Sequence, residues 1–376
     1  MHFFNLDLHI AIISDIKRIF ATLGHEVTDW TLSGHAWVLG RERDKVDVIN
    51  HLNWRSIDRA MCDAFYDRYK DELARYDGFI VTHSPCFAML YERWNKPIIT
   101  IASTRYEHPF TDQPEKWRAF NGFLQRGIDS GLIIPLSNNR YDAAYAEAFT
   151  GRSWPTISNY CDYTGASYQP GSDTFLYWSK FKQQELPPHM LDKDRLKPNR
   201  FRRLLNRVPF LPREHGFGWE AIGTYRGIVH IPYNASVMSI FEQYAAGIPL
   251  FFPSFEFLMD LYGAHGDAGV LSEISFNQVL KLESGSSIMA APLDPNDFKN
   301  PDSVSHWLRF ADFYQTDIMP HLVYFDSFDH LRTVLRDTDL DGVSTRMSAH
   351  NARRKQIISS QWADLLSKIE GRATSS

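Results

Sequence analysis

The stretch VHIPYNASVMSIFEQYAAGIPLFFPS, residues 229–254, sets Asn234, Ser236, Ser239 and Glu242 between two apolar runs. Asn and Ser ahead of an apolar-periodic segment favour a helix start, which is expected between Asn234 and Ser236. The first turn of a helix leaves backbone N–H groups without an intrahelical acceptor. Those amides, with the helix dipole, bind anions and phosphate in particular. Ser236 and Ser239 are three apart, so their hydroxyls share a helical face and extend the same cradle. Glu242 repeats that spacing one turn deeper, far enough from a phosphate to accept two hydroxyls from a ribose. Together these residue types suit a nucleotide diphosphate. A Ser/Asn cap, a helix and a buried strand also occur in α/β proteins that bind nothing, so the rest of the chain has to decide between the two.

The first half offers polar groups where apolar strands end. FIVTHSPCF puts His83 at such an end, IAIISD puts Asp15 at another, and ITIASTRYEHPF supplies Arg105, Glu107 and His108 after a third. A His or carboxylate at a strand's carboxyl end can remove a proton from a hydroxyl nucleophile. His83 and Asp15 rank first for that base. Arg105 and Glu107 are expected to contact an acceptor or leaving group, or to pair with one another as a structural bridge. Asp15 has the competing role of a helix cap. Tyr106, Phe110, Tyr233 and Trp219 have faces suited to stacking on a sugar or base, and core packing is the other use of such rings.

These groups need a scaffold that brings strand ends together. Short apolar strands alternate with helical segments, the pattern of a parallel sheet covered by helices. LHIAII, FIVTH, PIITIAS, LIIPLS and PTISNY read as strands of a first lobe, separated by helices such as PEKWRAFNGFLQRGIDSG and NRYDAAYAEAFTG. CDYTGASYQPG reads as a crossing to a second lobe. That lobe is built from FLYWSK, RVPFLP, IVHIPYN, IPLFFPS and HLVYFDSFDHLRTVLR, and an amphipathic helix in ARRKQIISSQWADLLSKI closes the chain. The expected fold is α/β: two Rossmann-like doubly wound lobes facing across a cleft, over residues 1–165 and 172–335, with a closing loop and helix over 336–376. At 376 residues, two domains are also what length suggests.

Composition narrows the partners. With 44% hydrophobic and 23% charged residues the chain is an ordinary globular one, and a net charge of −5 gives no general attraction to nucleic acid. Three cysteines at wide spacing form neither a disulfide framework nor a zinc site, which fits a reducing, cytoplasmic setting. No secretory leader or membrane-spanning run is visible, so no membrane partner is expected. Asp192-Lys193-Asp194 has the spacing of a metal-binding pair but no strand before it. Asp337, Asp339, Asp341 and Gly342 begin like a calcium loop, yet Ser348 stands where a bidentate Glu is needed, so a solvated loop is expected. Phosphate loops of the dinucleotide and P-loop kinds and the G-x-S-x-G elbow do not occur.

VHIPYNASVMSIFEQYAAGIPLFFPS resembles the donor-binding segment of GT-B glycosyltransferases, with Glu242, Ala245, Gly247 and Pro249 matching its acidic residue and A-x-G-x-P run. With GVLSEIS and FDSFDHL the resemblance covers about residues 215–335; in the first half it is one of architecture. It implies a transferase that takes a sugar from a nucleotide-diphosphate donor, a UDP- or GDP-sugar, to a glycan or other hydroxyl acceptor. No metal or other cofactor is implied. Asn234 stands where many retaining members carry Glu, which tilts the expectation towards inversion. Lys180, Arg207, Arg213 and Arg226 are the candidates for a cation on the diphosphate, with Arg226 expected at the far end of its strand. A nucleotide-sugar epimerase and a non-catalytic binding protein on the same scaffold are the alternatives.

Overall fold

The computed structural model describes residues 1–179, 196–198, 218–265, 269–272, 293, 294, 297 and 300–373. The chain divides into two compact units, one formed by Met1–Asn159 and the chain from Lys355 on, the other beginning at Tyr160 and running to Arg354.

In the first unit the strands β1 (His2–Asp7), β2 (Glu26–Thr31), β3 (Gly78–Val81), β4 (Ile98–Ala102) and β5 (Ile133–Ser137) form one parallel sheet in the order β2-β1-β3-β4-β5. Phe3, Phe4 and Leu6 of β1, all of β3 and nearly all of β4 are apolar and buried, as a strand covered on both faces requires. Helices α1 (Ile10–Thr22), α2 (Arg59–Leu73), α3 (Ala88–Tyr91), α4 (Pro114–Asp129) and α5 (Arg140–Thr150) connect or follow them. The chain steps one way from β1 to β2 and the other way from β2 through β3 to β5. Right-handed crossovers then put helices on both faces, with the switch point between β1 and β3.

The second unit repeats this plan. Its strands β6 (Phe175–Ser179), β7 (Leu196–Pro198), β8 (Ile228–Ile231), β9 (Leu250–Pro253) and β10 (Val323–Phe325) run parallel in the order β10-β9-β8-β6-β7. Read from the other edge this is the same winding, with the switch point between β6 and β8. Helices α6 (Trp219–Gly223), α7 (Met238–Ala245), α8 (Phe255–His265), α9 (Pro301–Leu308), α10 (Phe328–Asp337) and α11 (Leu340–Ala373) belong to this half of the sequence. The two units also share a close approach at the head of the central strand. A Cβ on Gly78 would come within 2.8 Å of the Pro97 carbonyl oxygen, and one on Gly227 within 2.8 Å of that of Pro249. Both contacts are below any van der Waals separation, so the first residue of β3 and the residue just before β8 are each the one type that lets the neighbouring backbone in.

Four sequence expectations change. The first strand is His2–Asp7, and LHIAII is mostly the start of α1: Ile12, Ile13, Ile16, Ile19 and Phe20 are buried on helical spacing. PTISNY makes a single bridge, Thr156 to Ser137, in place of a strand, because Pro155 has no N–H to continue a ladder. The acidic run from Asp337 is not a loop but leads into α11, with Asp339 Oδ1 accepting from the Gly342 N–H at 3.0 Å. The closing helix is longer than expected and is divided: Asn351 donates to the Tyr244 carbonyl at 2.7 Å in the second unit, and Trp362 packs edge-on against Phe20 in the first. RVPFLP lies outside the described residues. Among the described residues no helix is long and apolar enough to cross a membrane.

Candidate active site in the first unit and candidate anion site in the second

β1 ends on Asp7 and β3 runs into Thr82 and His83, so the switch point of the first unit gathers these side chains. Asp7 is buried, and its Oδ1 accepts from the His9 backbone N–H and from Thr82 Oγ1, both at 2.8 Å. Burial pushes the carboxyl up to about 7, against the pull of those two hydrogen bonds. Its Oδ2 is buried without a hydrogen-bond partner among the described residues.

His9 is the extended residue that opens α1, and its ring stacks on His83 with centroids 5.4 Å apart. His83 has φ 62°, a left-handed turn that takes the chain sharply out of β3. Both side chains are half-buried, so part of each reaches the surface. Burial, then the neighbouring His35, pulls the His9 imidazole down to about 4. Burial, then His9 and His108, holds His83 well below the ordinary value. Both rings are therefore neutral at pH 7, each with one nitrogen lone pair, and the His9 Nδ1 has no hydrogen-bond partner among the described residues.

The end of β4 carries Arg105, Glu107 and His108. Arg105 and Glu107 are 3% and 0% exposed and form an ion pair, with Nη2 to Oε1 at 2.7 Å and Nε to Oε1 at 3.0 Å. Tyr145 of α5 donates its phenol to the same oxygen at 2.6 Å, and its ring lies under the guanidinium at 4.1 Å. Neither Arg105 nor Glu107 reaches the surface; the pair joins the β4 loop to α5. Beside it, burial lifts the Asp142 carboxyl to about 6. His108 packs edge-on against Trp54 and is pulled down to about 4 by burial, then by Arg55 and Arg105. Tyr106 and Phe110 are core residues, the Tyr106 phenol donating to Asn121 at 2.7 Å.

Asp15 is not at a strand end. It lies in the second turn of α1 and is buried, because the strand that feeds this loop ends eight residues earlier at Asp7. The residues actually at that end, Asp7 and His9, are the ones sequence reasoning passed over.

In the second unit β8 stops at Ile231, as Pro232 requires. The helix then begins at Met238, later than expected. Val237, in extended backbone, is the residue before it, and no side chain caps the turn. Asn234 does not reach the helix because its Oδ1 turns back onto the Ala235 N–H at 2.8 Å. Tyr233, Asn234, Ser236 and Ser239 are half-buried. Ser239 lies in the first turn and Glu242 one turn on, so these two share a helical face; Ser236 precedes the helix and does not, because the chain stays extended through Val237. Glu242 is 5% exposed and accepts from the Tyr163 phenol, a partner that sequence spacing does not reveal. Near this turn buried His230 bonds Gln243 at 2.7 Å and stacks on Phe252 at 4.6 Å.

Arg226 lies at the amino end of β8 with its guanidinium over the Phe175 ring, away from the turn. Lys180, Arg207, Arg213 and the Asp192–Asp194 pair lie outside the described residues. Trp219 opens the short helix α6. Among the described residues no group of three His, Cys, Asp or Glu is placed to hold a metal ion.

No protein-family model and no curated protein matches the sequence. Among solved structures, the chain is similar to the glycosyltransferase SnogD from Streptomyces nogalater, at 12% identity and a TM-score of 0.45 over 98% of this chain and 99% of that one. It is similar to the glycotransferase of kitacinnamycin at 14% identity and a TM-score of 0.43, over 98% of each chain. It is also similar to the spinosyn rhamnosyltransferase SpnG, solved with thymidine diphosphate, at 11% identity and a TM-score of 0.38 over 96% and 99%.

Proposed function

We propose that the protein is a glycosyltransferase of the GT-B kind that moves a sugar from a UDP- or GDP-sugar to a hydroxyl of a glycan or similar acceptor, with inversion, without a metal and in the cytoplasm. The observation that carries this reading is the pair of neutral imidazoles, His9 on His83, beside buried Asp7 at the switch point of the first sheet. An acceptor hydroxyl must lose its proton as the sugar transfers, and a neutral imidazole at a strand's carboxyl end is the side chain for that task. His83 and His9 are the two bases to compare, and Asp7 fixes the backbone of one and, through Thr82, the entry to the other.

The β8–α7 turn supports the donor half of the reading. The Ile240 amide already donates to the Val237 carbonyl at 3.0 Å, and it is the dipole at the helix start, with the Ser236 and Ser239 hydroxyls beside it, that meets the charge of a leaving diphosphate. Glu242 takes the ribose, and a cation from Lys180 or Arg207 completes the charge balance, Arg105 being committed to its buried pair with Glu107.

Calorimetry with UDP and GDP, followed by transfer assays with the matching sugars, tests this directly. His83→Ala and His9→Ala should keep nucleotide affinity, and the variant that removes the base should lose roughly 10²–10⁴-fold in transfer rate. Failure of a folded protein to bind either nucleotide refutes the proposal. Turnover of a donor sugar without acceptor would identify an epimerase instead.

A further inference from the structure

A separate pocket of about 320 Å³ lies within the first unit, between α2, α3 and α4. Its volume is at the small end of the roughly 300–1,000 Å³ range of ligand pockets. The floor is made of Ile57, Cys62, Phe110, Phe120 and Phe123, all buried. Cys62 adds no charge to it, since burial lifts the thiol to about 12.

The walls differ in charge. On the α2 side every ionised group is engaged: Arg59 pairs with Glu92 at 2.7 Å and Asp63 at 3.3 Å, and Asp58 caps α2 by accepting from the Met61 N–H at 2.8 Å. On the α4 side Lys116 and Arg126 are exposed and form no ion pair among the described residues. With Ala119, Phe120 and Phe123 they occupy one helical stripe, ten residue steps or about 15 Å from end to end. The pocket is thus a slot with an apolar floor and uncompensated positive charge at either end of one wall.

We infer that this slot binds an amphipathic carboxylate with an elongated apolar body, the body on the phenylalanines and the carboxylate on Lys116 or Arg126. The inference is independent of the proposed glycosyl transfer and stands or falls on different residues. Apolar area alone would accept any greasy molecule; the free cations select the anion.

Titration of the full chain with decanoate below its micelle concentration, followed by calorimetry, tests it. One saturable site is expected, with decan-1-ol bound roughly tenfold more weakly for want of a charge-assisted contact. K116E/R126E should weaken decanoate binding by at least that factor. Ala119→Trp, on the exposed lip, should fill the slot and abolish binding while the circular dichroism spectrum stays unchanged. Absence of saturable binding, equal affinity for acid and alcohol, or full binding to a folded Ala119→Trp variant would each overturn the inference.

Discussion

Asp7→Asn separates the electrostatics of the first-unit site from its packing. The carboxyl is buried and titrates near 7 in the folded chain against 3.8 when exposed. A folded value above the unfolded one means that the native state binds the proton more tightly. Its contribution to stability is therefore fully present below about pH 3.8 and is withdrawn as pH rises, until it is gone above about 7. At about 1.4 kcal/mol for each tenfold change in proton affinity, the whole span is worth about 4 kcal/mol, of which about 2.6 falls between pH 5 and 8. Asparagine keeps an oxygen for the His9 N–H and the Thr82 hydroxyl but has no proton to lose. It leaves a buried NH₂ where Oδ2 now lies, at a cost that does not vary with pH. The variant's stability relative to wild type should consequently improve by about 2–3 kcal/mol on going from pH 5 to pH 8, whatever its value at pH 5. The histidines of the cluster act in the opposite sense, losing stability as pH falls towards their lowered values, but they are common to both proteins and cancel in the difference. Urea unfolding at four or five pH values measures it. Stability–pH curves that run parallel for the two proteins would show that Asp7 titrates as an ordinary exposed carboxylate and would remove it from the argument.

Glu107→Gln should destabilise the first unit by about 3–5 kcal/mol, because it leaves the Arg105 guanidinium buried without its counter-charge; urea unfolding reads this, and a loss under 1 kcal/mol would mean that Arg105 finds solvent. In the second unit, Glu242→Ala should weaken UDP or GDP binding roughly tenfold, and Tyr163→Phe, which removes the phenol now held by that carboxylate, should tighten it. Equal affinities in wild type and both variants would take Glu242 out of the nucleotide site.

Most of the architecture was legible because buried parallel strands announce themselves: GFIV, IITIA, IVHI and LFFP are short apolar runs closed by turn residues. The beginning of the chain misled for a physical reason. HFFNLD carries a polar residue in its middle, Asn5, which the fold satisfies by a bond from Nδ2 to the Ile80 carbonyl at 2.8 Å, whereas the β-branched IAII beside it looks more strand-like than its helical role. β2, EVTDWT, hid in the same way, since its buried Asp29 is neutralised by Lys17 and Arg41. The donor-side candidates could be grouped from the sequence because they are close in it. The pairings that define the two sites were not, since His9 meets His83 across 74 residues and Glu242 meets Tyr163 across 79, and only strand order brings such positions together.

The shared winding of the two units makes their differences informative. Each sheet has the same strand order, a glycine pressed against a proline carbonyl at the head of its central strand, and a switch point beside that strand. Packing constraints are therefore alike, and what stands at the strand ends is free to differ. The first unit places two half-buried imidazoles and a buried carboxyl at its switch point: the carboxyl titrates near neutral pH, and the imidazoles are neutral there with lone pairs able to accept a proton. At the corresponding point of the second unit, Ser179 of β6 donates to the Ile231 carbonyl of β8 at 2.8 Å, and hydroxyls and backbone amides follow in the turn. Groups that gain and lose protons serve chemistry; hydroxyls and amides that do not titrate serve the holding of a charged ligand. The proposed transfer reaction would use this division, with one half deprotonating an acceptor and the other holding a charged donor.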